Sequence, residues 1–285
     1  MKPGKLFSTI LMAFFVVLAL MLIYAPVAWL VISSIATRND LLTVPLHWIP
    51  DHANIQNYLD ILIPGTDVSS VAATFKVTLR NSIFVATMTT LICLVAGSLA
   101  AYALARLNIP FRRFMLMGVM STRMIPEVSL VIPLYILASR AGLMDTPAIL
   151  IITYLSFALP FAIWMLAAFF ESVPYELEDA ARIDGASRLG ILFRVILPVS
   201  TPGIVSTALF TFLLAWDEFF FALIFTSTLA AKTVPVAIAE FTGRYAVDIT
   251  GMMTGGVLAA LPPVILSLVF QRYIVSGLTA GAVKG

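Results

Sequence analysis

The chain has 285 residues, 61% of them hydrophobic and 11% charged, with a formal net charge of +2 and a mean hydropathy of +1.03. Such values mark a polytopic membrane protein and exclude a water-soluble globular domain. Basic residues spread thinly along the chain argue against a nucleic-acid partner. The single cysteine, Cys93, lies in an apolar run, which excludes an intrachain disulfide and disfavours a reactive thiol.

Lys2 and Lys5 precede an apolar run from Leu6 to about Ile35, which mimics a signal peptide. A cleavable apolar region has about 7–15 residues, whereas this run could cross a ~30 Å hydrocarbon core, so it is read as an uncleaved first span. Stretches long enough to span as helices fall at 10–35, 82–105, 114–138, 148–170, 203–225 and 253–271. This predicts an all-α polytopic membrane protein of six transmembrane helices, forming one transmembrane domain over 1–285. An even number of spans puts both termini on one side.

Lys and Arg set the orientation. The N-terminal side carries Lys2, Lys5, Arg106, Arg112, Arg113, Arg182, Arg188, Arg194, Arg272 and Lys284; the opposite side carries Arg38, Lys76, Arg80, Arg140, Lys232 and Arg244 over a greater length. The positive-inside rule therefore predicts cytoplasmic termini and a cytoplasmic 171–202 segment.

The first outer segment holds PLHWIPDHANIQNYLDIL, with Trp48 and Tyr58 suited to interfacial depth, and predicts a short amphipathic helix near 54–62. His47 and His52 are the only histidines; five apart and without a nearby cysteine, they do not make a metal site. The turn from Arg106 to Arg113 is tight and basic. Gly97 and Ala101, four apart, offer a small face for packing within the chain or against another subunit.

The longest strongly charged run is 174–198, PYELEDAARIDGASRLGILFRVILP. Pro174 suits a first helical position, and Glu176, Glu178 and Asp179 follow in the opening turns, where the helix dipole favours negative charge. Leu177, Ala180, Ala181 and Asp184 share a face on which small alanines allow close approach. Gly185 is read as ending this helix, Ser187 as capping a second, and Pro198 as closing it.

Asp179-Ala180-Ala181, three residues to Gly185, nine more to Val195 and then Ile196-Leu197-Pro198 resemble the EAA loop of membrane subunits of ATP-binding-cassette importers. Asp179 stands where that family usually has Glu, with Glu178 just before it, and Val195 stands for Ile. The wording ELEDAARIDGAS followed by ILP resembles the carbohydrate branch, which includes maltose- and trehalose-type importers. Two further stretches are similar to that branch: Ala100 to Arg106 (AAYALAR) and the tail from Gln271 to Gly285.

The resemblance implies a type I importer permease in a prokaryotic cell membrane. It implies that Glu178, Asp179, Ala180, Ala181, Asp184, Gly185 and Pro198 form a coupling helix docking into a cytosolic ATPase. It also implies a tail reaching between two such ATPase subunits and an outer loop at 226–252 that enters a solute-binding protein. The partners implied are a second, related permease subunit, two cytosolic ATP-binding subunits and an extracytoplasmic solute-binding protein, besides membrane lipid. No cofactor is implied on this chain, which has no GxxxxGK followed by Ser or Thr; ATP and Mg are expected on the partner ATPase subunits.

Charges within spans are costly and so pair or face water. Arg123 and Glu127, four apart, could neutralise each other on one helix face. Adjacent Asp217 and Glu218 cannot pair. Glu127 lies ~20 Å and Asp217 ~21 Å along their spans at 1.5 Å per residue, so acids of two spans share one depth. This predicts a polar cavity, with Trp216 available to stack on a polyhydroxylated ligand. The family resemblance implies a translocation path here through similar AWNEF wording, with Asp217 replacing the usual Asn. Pro126, Pro133 and Pro160 are expected to kink their spans.

Three function classes compete. A permease subunit of an ATP-driven sugar or polyol importer accounts for the 174–198 motif. A self-contained secondary transporter coupled through Glu127, Asp217 or Glu218 is the alternative, though no internal repeat supports it. A membrane enzyme lacks a nucleophile–base pair or metal-ligand cluster, so no catalytic residue is assigned.

Overall fold

The computed structural model describes residues 3–45, 48–50, 53–62, 71–241 and 248–282, and every regular element among them is helical. In chain order these are α1 (Pro3–Ser34), α2 (Arg38–Leu42), α3 (Gln56–Leu62) and α4 (Val71–Arg106). Next come α5 (Arg112–Ser121), α6 (Glu127–Arg140), α7 (Pro147–Ser172) and α8 (Tyr175–Ile183). The chain continues with α9 (Arg188–Val199), α10 (Thr201–Trp216), α11 (Phe220–Phe225), α12 (Val234–Glu240) and α13 (Ile249–Ala282).

Among the described residues, four helices are long and apolar enough to cross a membrane: Ser8–Ser34, Phe75–Arg106, Pro147–Ser172 and Ile249–Tyr273. Two bent pairs raise the number to six if each counts as one span. The stretches expected at 114–138 and 203–225 are not single helices. Arg112–Met124 and Glu127–Arg140 meet at 86°, because Pro126 has no N–H to donate and adopts extended backbone ahead of α6. Between α10 and α11 the helix stops at Asp217 and restarts at Phe220. Pro133 and Pro160, by contrast, lie within continuous helices.

The chain divides into two compact units, Met1–Lys76 with Ala237–Leu261, and Val77–Val236 with Pro262–Gly285. In the first, α1 exposes Ile10 to Tyr24 and is held at its end by polar contacts. The Ser34 hydroxyl pairs with Tyr58 Oη at 2.6 Å, Asn54 N–H donates to the Ile35 carbonyl at 2.7 Å, and Thr254 Oγ1 donates to the Ser34 carbonyl at 3.1 Å. These bonds fix α3 where the sequence predicts a short helix. His47 and His52 lie outside the described residues, as does 242–247 of the outer segment 226–252.

In the second unit α7 is the central helix. Gly203 of α10 lies so close to the Phe169 ring that an added Cβ would meet Cγ at 2.2 Å, and only glycine permits that approach. Gly97 of α4 packs on Ala162 and Leu166, and Ala101 joins Leu166, Ala167 and Phe170 in one buried cluster. The small face at Gly97 and Ala101 is thus used within the chain. A second cluster gathers Tyr154, Trp216, Phe221 and Phe225, with Phe157 stacked on Phe221.

Candidate functional site: a charged loop and a polar cavity

The 174–198 segment folds as a helix, turn and second helix, with two differences from the sequence reading in its helix ends. Pro174 is the N-cap rather than the first helical residue, and α8 starts at Tyr175. Gly185 ends α8 with φ +79°, and its N–H and that of Ala186 donate back to the Arg182 and Ala181 carbonyls at 3.0 and 2.9 Å. Ser187 caps α9 through the Gly190 N–H. Pro198 does not close α9. The stretch Leu192–Ile196 widens into a π-helix, Leu197 N–H reaches back to the Leu192 carbonyl, and the helix runs through Pro198 to Val199. A break at Ser200 then turns the chain by 82° into α10.

Glu178 requires the main correction. Expected on the docking surface, its side chain is 0% exposed and lies 2.7 Å from Nε of Arg106, also 0% exposed. Arg106 Nη2 also donates to the Val173 carbonyl, and its guanidinium lies 4.2 Å from the Tyr175 ring centre. The reason is local. Arg106 ends the long apolar α4, where a buried guanidinium must find both a counter-charge and an acceptor; Glu178 of α8 supplies the first and the Val173 carbonyl, at the end of α7, the second. The end of α4 is thereby tied to the start of α8. Arg182 bridges outward, to Glu178 at 3.1 Å and Asp179 at 2.6 Å.

The rest of the loop faces out. Asp179, Ala180, Asp184, Gly185 and Pro198 are exposed, whereas Ala181 is half-buried and packs inward. Large apolar side chains are exposed beside them: Tyr175, Leu177, Leu189, Phe193 and, at 86%, Ile183. A strongly charged loop carrying uncovered apolar residues is a surface suited to another protein.

The polar cavity exists, about 460 Å³ in volume, and Arg123, Glu127, Asp217 and Glu218 all line it, with Phe157, Phe210, Phe219 and Phe220 among its walls. Arg123 and Glu127 do not share a helix face, because the break at Ile125-Pro126 puts them on separate helices; among the described residues they form no ion pair within 4.0 Å. Arg123 instead lies 5.4 Å from the Phe161 ring centre. Glu218 is 9% exposed and accepts from the Phe221 and Ala222 N–H groups at 2.7 and 3.1 Å, capping α11. Glu127 lines the same cavity, and Asp217 is exposed.

Trp216 does not line the cavity. It is 3% exposed and stacks on Phe212 with ring centres 5.6 Å apart, because the helix turns its side chain to the core face while Asp217 faces out. The aromatic walls come from phenylalanines that sequence reasoning passed over. Arg106 and Tyr175 were missed too. An arginine closing an apolar helix reads as an orientation signal, and nothing in its neighbourhood names a partner so far along the chain. Among the described residues no group of three or more His, Cys, Asp or Glu could hold a metal ion.

Residues 93–280 match the family described as binding-protein-dependent transport system inner membrane component. The chain is 39% identical over 261 residues to the trehalose/maltose transport system permease protein MalG of Thermococcus litoralis, covering 91% of each chain. It is 40% identical over 262 residues to the trehalose transport system permease protein SugB of Mycobacterium tuberculosis, covering 91% of this chain and 92% of the relative. A chain of a bacterial ABC transporter involved in the import of the acidic polysaccharide alginate has the same fold, with a TM-score of 0.79 at 21% identity over 96% of this chain and 98% of the other.

Proposed function

The chain belongs to the family of binding-protein-dependent transport system inner membrane components, and from that membership we propose that it is a membrane-spanning subunit of an ATP-driven importer for a sugar or polyol. It forms half of the translocation pathway and takes its energy from partner subunits through the 174–198 loop. The substrate class follows from what similar chains are named for, trehalose and maltose.

One observation carries the coupling role: a loop with exposed apolar and acidic side chains is joined to the end of α4 through the buried Arg106–Glu178 pair. Motion imposed on α8 from outside is passed to a long apolar helix, since separating that pair would strand a charge out of water. The cycle is alternating access, in which two cytosolic ATPases close, move the loop and change which end of the polar cavity is open. The loop and both termini then lie in the cytoplasm, ATP and Mg belong to the ATPase subunits, and this chain is not itself an enzyme. A second permease subunit supplies the other half of the path, and an extracytoplasmic solute-binding protein delivers the solute.

The test is uptake of labelled trehalose or maltose into vesicles holding the chain with its partner subunits, with and without ATP. Uptake that requires both ATP and the ATPase subunits is expected. Accumulation driven by the chain alone under an ion gradient, without nucleotide, would return the function to a secondary transporter.

A further inference from the structure

A second cavity, about 410 Å³, opens beside the α4–α5 turn and is lined by Arg106, Asn108, Arg112, Arg113 and Tyr175, with Phe111 and Phe114 at its edge. It is distinct in lining from the polar cavity and holds no carboxylate side chain among its described lining residues. Three observations concern the charge of what it would hold. The ten-residue helix α5 begins here with no side chain capping it, so its first amides point outward with the positive end of the helix dipole. Arg113 is exposed and makes no ion pair among the described residues, while Arg112 donates only one bond, to the Ala105 carbonyl at 3.2 Å. Arg106 is 6% exposed; Glu178 and the Val173 carbonyl take Nε and Nη2, and its buried Nη1 has no acceptor. Its side chain is 0% exposed, so it forms part of the cavity wall and leaves contact with an anion to Arg112 and Arg113.

The surroundings decide which anion. Phe111, held at φ +57°, is 77% exposed, and Phe114, Met115 and Met117 of α5 are exposed as well. An arginine-lined pocket opening onto uncovered apolar side chains, at the end of a long apolar helix, matches a molecule with an anionic head and an apolar tail. We propose that this pocket binds the phosphate of an anionic phospholipid, with Arg112, Arg113 and the α5 amides on the head group and the Phe111–Met117 face along its acyl chains. The Arg106–Glu178 pair places the pocket at the same end of the chain as the 174–198 loop, so the lipid occupies the leaflet on that side.

The proposal is tested on the full chain purified in its assembled complex, by native mass spectrometry after incubation with phosphatidylglycerol or phosphatidylcholine. Retained phosphatidylglycerol without comparable phosphatidylcholine is expected. The double variant Arg112→Gln/Arg113→Gln is expected to weaken retention about fivefold per arginine, or about thirtyfold together. Arg188→Gln/Arg194→Gln, which removes the same charge from exposed positions outside the pocket, is expected to leave retention unchanged. Equal retention of both lipids, retention surviving the 112/113 change, or an equal loss in the 188/194 control would overturn the site. Displacement of the lipid by inorganic phosphate alone would assign the pocket to a free anion and overturn the lipid. Because the wild-type comparison of two lipids needs no variant, a poorly folding double variant does not shield the proposal.

Discussion

Removing the Glu178 carboxylate leaves the Arg106 guanidinium buried without its counter-charge, a change that costs about 3–5 kcal/mol in comparable buried pairs. Glu178→Gln should therefore lower the unfolding temperature of the assembled complex markedly. Asp179→Asn, which disturbs only an exposed bridge to Arg182, should cost under about 1 kcal/mol. Thermal unfolding of both variants checks this, and equal effects would remove the strut. The sequence displays both acids side by side but not which is covered, since that depends on the helix lying across the turn of the period. A second residue, Asp145, sits between α6 and α7 and accepts from the Ser227 and Thr228 N–H groups at 2.9 Å each and from Thr228 Oγ1 at 2.5 Å. Burial alone would raise its pKa; the Thr228 and Ser227 bonds, with Lys232 nearby, outweigh it and hold the carboxyl below the ordinary aspartate value. A depressed folded pKa means stabilisation present in full above the unfolded value and lost as pH falls through the lower, folded one. Protection of the Ser227 and Thr228 amides, taken relative to the intrinsic exchange rate at each pH, should fall across that acid window, and the fall should be absent in Asp145→Asn; an unchanged profile in that variant would show that another group titrates.

At the scale of elements, Gly185 is where local geometry bears on the proposed coupling. An added Cβ would meet nothing within 4 Å, so the constraint is the left-handed φ of +79° and not space. A non-glycine residue there costs about 1–2 kcal/mol, released if the end of α8 rearranges and the outward face at Asp184 turns away. Gly185→Val should raise the ATP hydrolysed per solute imported or prevent assembly with the ATPase, while Gly185→Asn, better suited to that backbone, should do so less. Normal stoichiometry in the valine variant would remove the coupling role of the turn. The ends of α8 and the cap of α9 were legible because Gly and Ser act through one or two neighbouring residues. The breaks in the third and fifth apolar stretches were only half legible. Pro126 announces a disruption but not an 86° turn, and the stop at Asp217 depends on Glu218 capping α11, a choice between continuing and restarting a helix that hydrophobic periodicity does not record.

At the scale of the molecule, the polar cavity gathers residues from α6, α7, α10 and α11, from the turn that holds Arg123 and from the break at 217–219, and its role is tested by transport. Asp217→Ala and Glu127→Gln should change the apparent affinity or rate of uptake while the complex still assembles, because both side chains are exposed to the cavity and cap nothing. Glu218→Ala should instead cost about 1 kcal/mol or more of stability by uncapping α11. Uptake kinetics unaltered in Asp217→Ala and Glu127→Gln would make the cavity a packing feature. By itself the sequence determined the membrane class, the all-helical fold, the family and the presence of a charged helical loop, because each rests on hydrophobic length or on residues close together in the chain. Only the tertiary structure decided that Glu178 pairs with Arg106, that Trp216 faces the core while Asp217 faces the cavity, and that Arg123 and Glu127 part at a break. Those outcomes turn on which face of a helix another element covers, and a buried charge accepts whatever counter-charge the packing brings to it.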